Sequence, residues 1–222
     1  LQVGALTRQR AVEESATVRR QVPLLGEAIR FVGHPQIRNR GTVGGSLAHA
    51  DPSAELPAVV AALDAELVVQ GPAGQRVLSP GEFFTGYLTT ALEPTELLTE
   101  IRFPVLPERT GTAFVEVARR QGDFALVGVA AVVRRSNGTI AEARLAFTGV
   151  GPGPVWAREA EGILAGSAGT SKVFTDAARE ASARLDPESD IHATVQYRRD
   201  VAATLARRAL ELAWHRSGGR TR

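Results

Sequence analysis

Gly33-His34-Pro35-Gln36-Ile37-Arg38-Asn39-Arg40-Gly41-Thr42-Val43-Gly44-Gly45-Ser46-Leu47-Ala48-His49-Ala50-Asp51-Pro52 is the stretch whose reading decides this chain. It is polar and glycine-rich, and it lies between two apolar, helix-periodic segments. Irregular stretches of this length in compact domains usually carry function. Gly41, Gly44 and Gly45 crowd together. Lacking Cβ atoms, they are expected to let backbone N–H groups converge on an anion such as a pyrophosphate. Thr42 and Ser46 add hydroxyl donors, and Asp51 and Glu55 add carboxylates that accept hydrogen bonds from hydroxyls. The spacing is neither G-x-G-x-x-G nor the P-loop, which needs Gly-Lys-Ser/Thr. On spacing alone, a glycine-rich turn between two helices is the favoured explanation.

Upstream, Leu24, Ala28 and Val32 recur at helical spacing, with Pro23 at a first-turn position and Gly33 past the end. This predicts a helix over 23–32. Downstream, Leu56, Val60 and Leu63 share one face of a helix over 54–63. Glu66–Gln70 reads as a strand, followed by a turn at 71–74 and the short run Val77-Leu78. A short helix is expected over Gly81–Tyr87 and a strand over Glu96–Phe103. The segment 104–112 changes composition and is taken as a domain boundary. Beyond it, 113–118 and 126–134 read as strands. Asn137-Gly138 suits a type I′ turn, so 140–148 is the returning strand of a hairpin. Helices are expected over 155–165, 171–185 and 197–214. In the second, Val173, Ala177, Ala181 and Leu185 are in register, and in the third Val201, Leu205, Ala209 and Leu212. The fold class is therefore α+β. A mixed α/β unit over 1–106 precedes a three-stranded antiparallel sheet with three helices over 110–217.

At 222 residues and 44% hydrophobic, the chain can bury a sizeable core as one large or two small domains. Its 26 basic and 24 acidic side chains are interspersed, as in Arg8, Arg10, Glu13, Glu14, Arg19 and Arg20. No block of like charge offers a nucleic-acid arm, so no nucleic-acid partner is expected. With no cysteine, the chain cannot ligate an iron–sulfur cluster or supply a thiolate. His34, His49, His192 and His215 lack metal-ligand spacing, so no metal is expected. No apolar run reaches the length of a membrane span and no signal peptide is visible, so a cytoplasmic location is the default. Leu1-Gln2-Val3-Gly4-Ala5 begins like the middle of a strand, without an initiating Met.

The quoted segment, continuing through Ser53-Ala54-Glu55-Leu56-Pro57 and again at Leu97–Pro104, closely resembles the second FAD-binding segment of the molybdenum hydroxylase flavoproteins. These include the medium subunit of carbon monoxide dehydrogenase and the FAD domain of xanthine dehydrogenase. Glu116-Val117-Ala118-Arg119-Arg120-Gln121-Gly122-Asp123-Phe124-Ala125 resembles the basic–Gly-Asp-aromatic signature that opens the family's C-terminal domain. The resemblance implies that Thr42, Gly44, Gly45 and Ser46 line the FAD pyrophosphate and that His49 contacts the flavin. It implies that Asp51 or Glu55 holds FAD hydroxyls, that Leu97 and Leu98 pack near the adenine or flavin, and that Phe124, beside Asp123, faces the isoalloxazine.

No residue is expected to act as acid, base or nucleophile. The implied role is electron transfer through FAD, from iron–sulfur clusters on a small subunit to an external acceptor. Substrate is hydroxylated at a molybdopterin cofactor on a large subunit. Family members also carry an earlier Ala-Gly-Gly-x-Ser-Leu segment that nothing here matches. The implied half-cradle predicts that this chain alone binds FAD weakly. Two other readings are a flavin-poor assembly module that docks to the redox subunits, and a binder of a different nucleotide.

Overall fold

A computed structural model describes residues 1–218 of the chain. In chain order the first elements are β1 (Gln2–Gly4), α1 (Gln9–Glu14), α2 (Ala16–Gln21), α3 (Pro23–Ala28), α4 (Pro35–Arg40), α5 (Val43–His49) and α6 (Glu55–Leu63). Next come β2 (Glu66–Gly71), β3 (Gly74–Leu78), α7 (Pro80–Phe83), β4 (Phe84–Gly86), β5 (Thr89–Thr90) and β6 (Leu97–Arg102). The last are β7 (Thr110–Val117), β8 (Val127–Ser136), β9 (Thr139–Thr148), β10 (Val155–Trp156), α8 (Arg158–Leu164), α9 (Ser171–Ala183) and α10 (Val195–Ser217). One antiparallel sheet runs β1-β6-β2-β3 and a second runs β10-β9-β8-β7. The α+β reading therefore holds. The second sheet has the three long strands expected and gains a fourth, because Val155–Trp156 pairs with Phe147 and Ala146 instead of starting a helix.

Helix α6 forms the hinge of the packing. Its sequence Glu-Leu-Pro-Ala-Val-Val-Ala-Ala-Leu is apolar almost all round, and all nine residues are buried. A helix with one apolar stripe covers one surface, whereas one apolar on every side must be enclosed. Here α6 lies against one face of the second sheet, where Phe114, Ala130, Val132 and Ala146 join its cluster. The opposite face of that sheet, through Ala131, Val133, Leu145 and Phe147, is covered by α8 and α10, with α9 packed against both helices. Each fully buried Leu or Val of α6 contributes roughly 1.5–3 kcal/mol. The expected single face of Leu56, Val60 and Leu63 is thus too narrow a description.

Other elements depart from expectation for local reasons. The helix expected over 23–32 ends at Ala28, and Arg30 and Phe31 close tighter turns onto Glu27 and Ala28. The supposedly irregular 33–52 contains α4 and α5. Pro35 occupies the first turn of α4, and the Thr42 side chain caps α5. Over 81–87 only one helical turn forms, capped by a Ser79–Glu82 capping box, and the chain then extends into the β4–β5 hairpin. In α10, Ala202, Leu205, Ala206, Ala209, Leu210 and Ala213 are buried while Leu212 is exposed, so the apolar stripe is shifted from the expected register. No helix among the described residues is long and apolar enough to cross a membrane.

Thr148, fully buried on β9, fastens the glycine-rich segment to the second sheet. Its hydroxyl lies 2.7 Å from the carbonyls of both Pro52 and Ala54, and the Gly149 N–H donates to Pro52 at 2.8 Å. Thr148→Val keeps the shape but leaves those acceptors without the hydroxyl. It is expected to cost about 1–3 kcal/mol, read as a lowered urea midpoint, with Thr148→Ser close to wild type.

Candidate functional site

The glycine-rich segment is bolted to the N-terminal strand and turn. Gly41 accepts from the Gln9 N–H at 2.9 Å, Val43 donates to Thr7 at 3.0 Å, and Gly44 donates to the Ala5 carbonyl at 2.8 Å. The Gly45 N–H donates to the Thr42 hydroxyl at 3.0 Å and the Ser46 N–H to the Thr42 carbonyl at 3.2 Å. This corrects the expected role of the glycines. The N–H groups of residues 43–46 are spent inside the chain, so they do not form an open nest. Gly44 is required for close packing, since a Cβ there would lie 2.4 Å from the Ala5 Cβ. A Cβ on Gly45 would lie 2.7 Å from the Thr42 hydroxyl oxygen.

What remains available to a ligand is the Thr42 and Ser46 hydroxyl groups at the start of α5, with the backbone of exposed Gly45 unobstructed beside them. His49 is exposed at the other end of α5, where Ala50 turns the chain in the left-handed conformation at φ 53°. Asp51 is half-buried, and its Oδ1 accepts from the Ser53 N–H at 2.8 Å. Glu55 is buried at 3% exposure, so of the two candidate hydroxyl acceptors only Asp51 reaches the surface. Leu98 is half-buried, whereas Leu97 is 71% exposed. Hydroxyl donors, a carboxylate acceptor and exposed apolar side chains form a donor set that suits a dinucleotide with a polyol and an aromatic ring system.

The second motif folds back toward the first. Gly122 sits at φ +86°, and a Cβ there would lie 2.5 Å from the His34 ring, so this glycine both turns the loop and admits the imidazole. Asp123 and Phe124 are exposed, Phe124 by 58%. Arg119 does not pair with Asp123: its guanidinium lies 3.0 Å from His192 Nδ1. Arg198, buried on α10, holds the base of the loop by donating to the carbonyls of Leu126 and Gly149 and pairing with Asp190 at 2.7 Å.

Sequence reading missed one buried group, Arg38, and one half-buried group, Glu116. Arg38 pairs with Glu13 through contacts of 3.0 and 3.1 Å and also donates to Val32 and Gly33, tying α4 to α1. That guanidinium holds the Glu13 carboxyl below the usual carboxylate range. Glu116 on β7 has a buried Oε2 with no hydrogen-bond partner. Burial, helped by the Glu55 charge, pushes Glu116 up to about 8, and burial raises Glu55 to about 7. Strand alternation alone could not show that this face of β7 looks toward the start of α6.

A carboxyl whose folded pKa is raised holds its proton more tightly when folded. Its contribution is fully present below the ordinary carboxylate value and is lost as pH rises through the folded value. The chain is therefore expected to lose stability between about pH 4.5 and 8. Glu116→Gln should flatten that decline and melt higher at pH 8.5. The gain is on the order of 1–2 kcal/mol, because the group is partly open to solvent. Parallel melting curves for the two proteins across this range would remove the assignment.

Residues 1–106 match the family described as the FAD binding domain in molybdopterin dehydrogenase, and residues 112–213 the CO dehydrogenase flavoprotein C-terminal domain. The 6-hydroxypseudooxynicotine dehydrogenase complex subunit alpha of Paenarthrobacter nicotinovorans is 41% identical over 97% of this chain and 73% of its own length. The carbon monoxide dehydrogenase medium chain of Hydrogenophaga pseudoflava is 36% identical over 96% of this chain and 75% of its own. Among solved structures, carbon monoxide dehydrogenase from the same organism superposes with a TM-score of 0.94 at 39% identity, over 97% of this chain and 75% of that one. Quinoline 2-oxidoreductase from Pseudomonas putida 86 gives 0.93 at 35% identity, over 98% and 75%. The chain belongs to the FAD-binding medium subunits of the molybdenum hydroxylases, a family of oxidoreductases.

Proposed function

We propose that this chain is the electron-transfer subunit of a cytoplasmic molybdenum hydroxylase, receiving electrons from iron–sulfur clusters on a small subunit and passing them to an external acceptor. Substrate oxidation takes place at the molybdopterin cofactor of a large subunit. The single observation that supports this most is the convergence of two motifs distant in sequence: the start of the 33–52 segment, at the N-cap of α4, and the 118–126 loop meet through His34 and Gly122. FAD, when bound, supplies reversible two-electron chemistry, which no side chain of this chain can provide. Thr42 and Ser46 hold its pyrophosphate by hydroxyl donation at the start of α5. Asp51 orients its hydroxyl groups, and His49, Leu98 and Phe124 flank its ring systems. Gly44 and Gly45 set the backbone path that brings the two hydroxyls together. Asp123 steers the Phe124 loop. We place the division between the two units at 107–109, after the FAD-binding unit 1–106 and before 110–217.

The test is coexpression with candidate large and small subunits, with flavin content measured in the purified complex. A ternary complex carrying one FAD per copy of this chain is expected. A ternary complex without flavin would support the assembly-module reading instead.

A further inference from the structure

A second cleft, of about 550 Å³, opens between the end of α3 and the β7 edge, beside the 118–126 loop, and none of the side chains assigned to FAD lines it. Phe31 forms one wall. It is 36% exposed and packs on Phe114 with ring centroids 5.4 Å apart, tilted by 54°. Glu116 lines the cleft, and its Oε2 is buried and without a partner. Arg30 and Arg120 stand at the rim, both exposed, and among the described residues no carboxylate pairs with either. The remaining acid, Glu27, is already engaged. It accepts from the Phe114 N–H at 3.2 Å and pairs with Arg216 at 2.8 Å. The cleft thus offers an aromatic face, two uncommitted guanidiniums and one unsatisfied carboxyl.

We propose that this cleft binds a planar aromatic anion, its ring on Phe31, its charged group between Arg30 and Arg120, and the Glu116 carboxyl hydrogen-bonded to it. Guanidinium pairs a carboxylate with two parallel hydrogen bonds, which suits an aryl carboxylate better than a compact ion. A carboxyl that carries its proton is a donor, which explains why an acid lies among groups that otherwise select for negative charge. Burial pushes the Glu116 carboxyl up to about 8, which favours the protonated, donating form at neutral pH. The cleft borders the 118–126 loop, but its lining includes none of the side chains assigned to FAD, so occupancy of the two sites is separable.

The test is calorimetric titration at pH 7 with 2-naphthoate and, as the opposite-charge probe, 2-naphthylmethylammonium. Naphthoate is expected to bind saturably and at least tenfold more tightly than the ammonium. The surface variant Arg30→Ala/Arg120→Ala should lose at least tenfold in naphthoate affinity with its melting temperature unchanged, and Glu116→Gln should retain binding through its amide N–H. Naphthoate affinity should be the same with saturating FAD present. Equal or tighter binding of the ammonium, no saturable binding of naphthoate, indifference to the arginine variant, or displacement by FAD would each overturn the proposal.

Discussion

Gly44→Ala is expected to unseat the α5 segment and to weaken FAD binding more than tenfold. A Cβ at this position would lie 2.4 Å from the Ala5 Cβ, 2.7 Å from its Cα and 2.9 Å from its carbonyl oxygen. Two of those three atoms are backbone, so no rotamer change relieves the contact. The helix start must shift away, stretching the Gly44 N–H bond to Ala5 and the Val43 N–H bond to Thr7. Overpacking of this kind costs about 1–3 kcal/mol, and strained backbone hydrogen bonds add to it. Thr42 moves with the segment, so the hydroxyls proposed to hold the pyrophosphate lose their placement. Gly45→Ala gives an instructive contrast. Its Cβ meets only the Thr42 hydroxyl, 2.7 Å away, so FAD binding should suffer while stability falls by no more than a helix cap, about 1 kcal/mol. Urea midpoints and FAD titrations of both variants test this. A Gly44→Ala protein with wild-type stability and affinity would contradict the packing described.

The largest effect on stability is expected at Gly111→Ala. This residue of β7 faces the backbone of α10, and a Cβ would lie 1.9 Å from the Ala213 carbonyl oxygen and 2.5 Å from the Ser217 nitrogen. The 23-residue α10 would have to lift off the sheet it covers. The cost is about 3 kcal/mol or more, a fall in melting temperature on the order of 10 °C for a chain of this size. Gly162→Ala is the control. There a Cβ meets nothing within 4 Å, inside α8, so the melting temperature should rise slightly through helix propensity. Equal melting temperatures for Gly111→Ala and wild type would show that α10 does not rest on β7 as described.

Much of the second unit was legible because its signals are local. Asn137 and Gly138 both adopt positive φ, 48° and 80°, as a type I′ turn requires, and the strands on either side follow from alternation. The strand at Gln2–Gly4 was legible, but the two helices after it were not. In α1 and α2 only Gln9, Val12 and Val18 are buried, too few for a periodic pattern, and their helices are held by tertiary contacts such as Arg38 with Glu13. The glycines of the 41–46 motif serve close packing rather than the open nest expected of them. Sequence shows that a Cβ is missing, not whether the space admits a ligand or Ala5. Leu97 and Leu98 differ in exposure because successive strand residues face opposite sides, and only the sheet order decides which side is covered.

Hydrogen–deuterium exchange with and without saturating FAD tests the central claim most directly, because it reads the place of binding even where affinity is low. Protection concentrated in residues 41–53 and 118–126, absent with ATP at the same concentration, is the result expected. Protection confined to other segments, or equal protection by ATP, would contradict the assignment of FAD to this site.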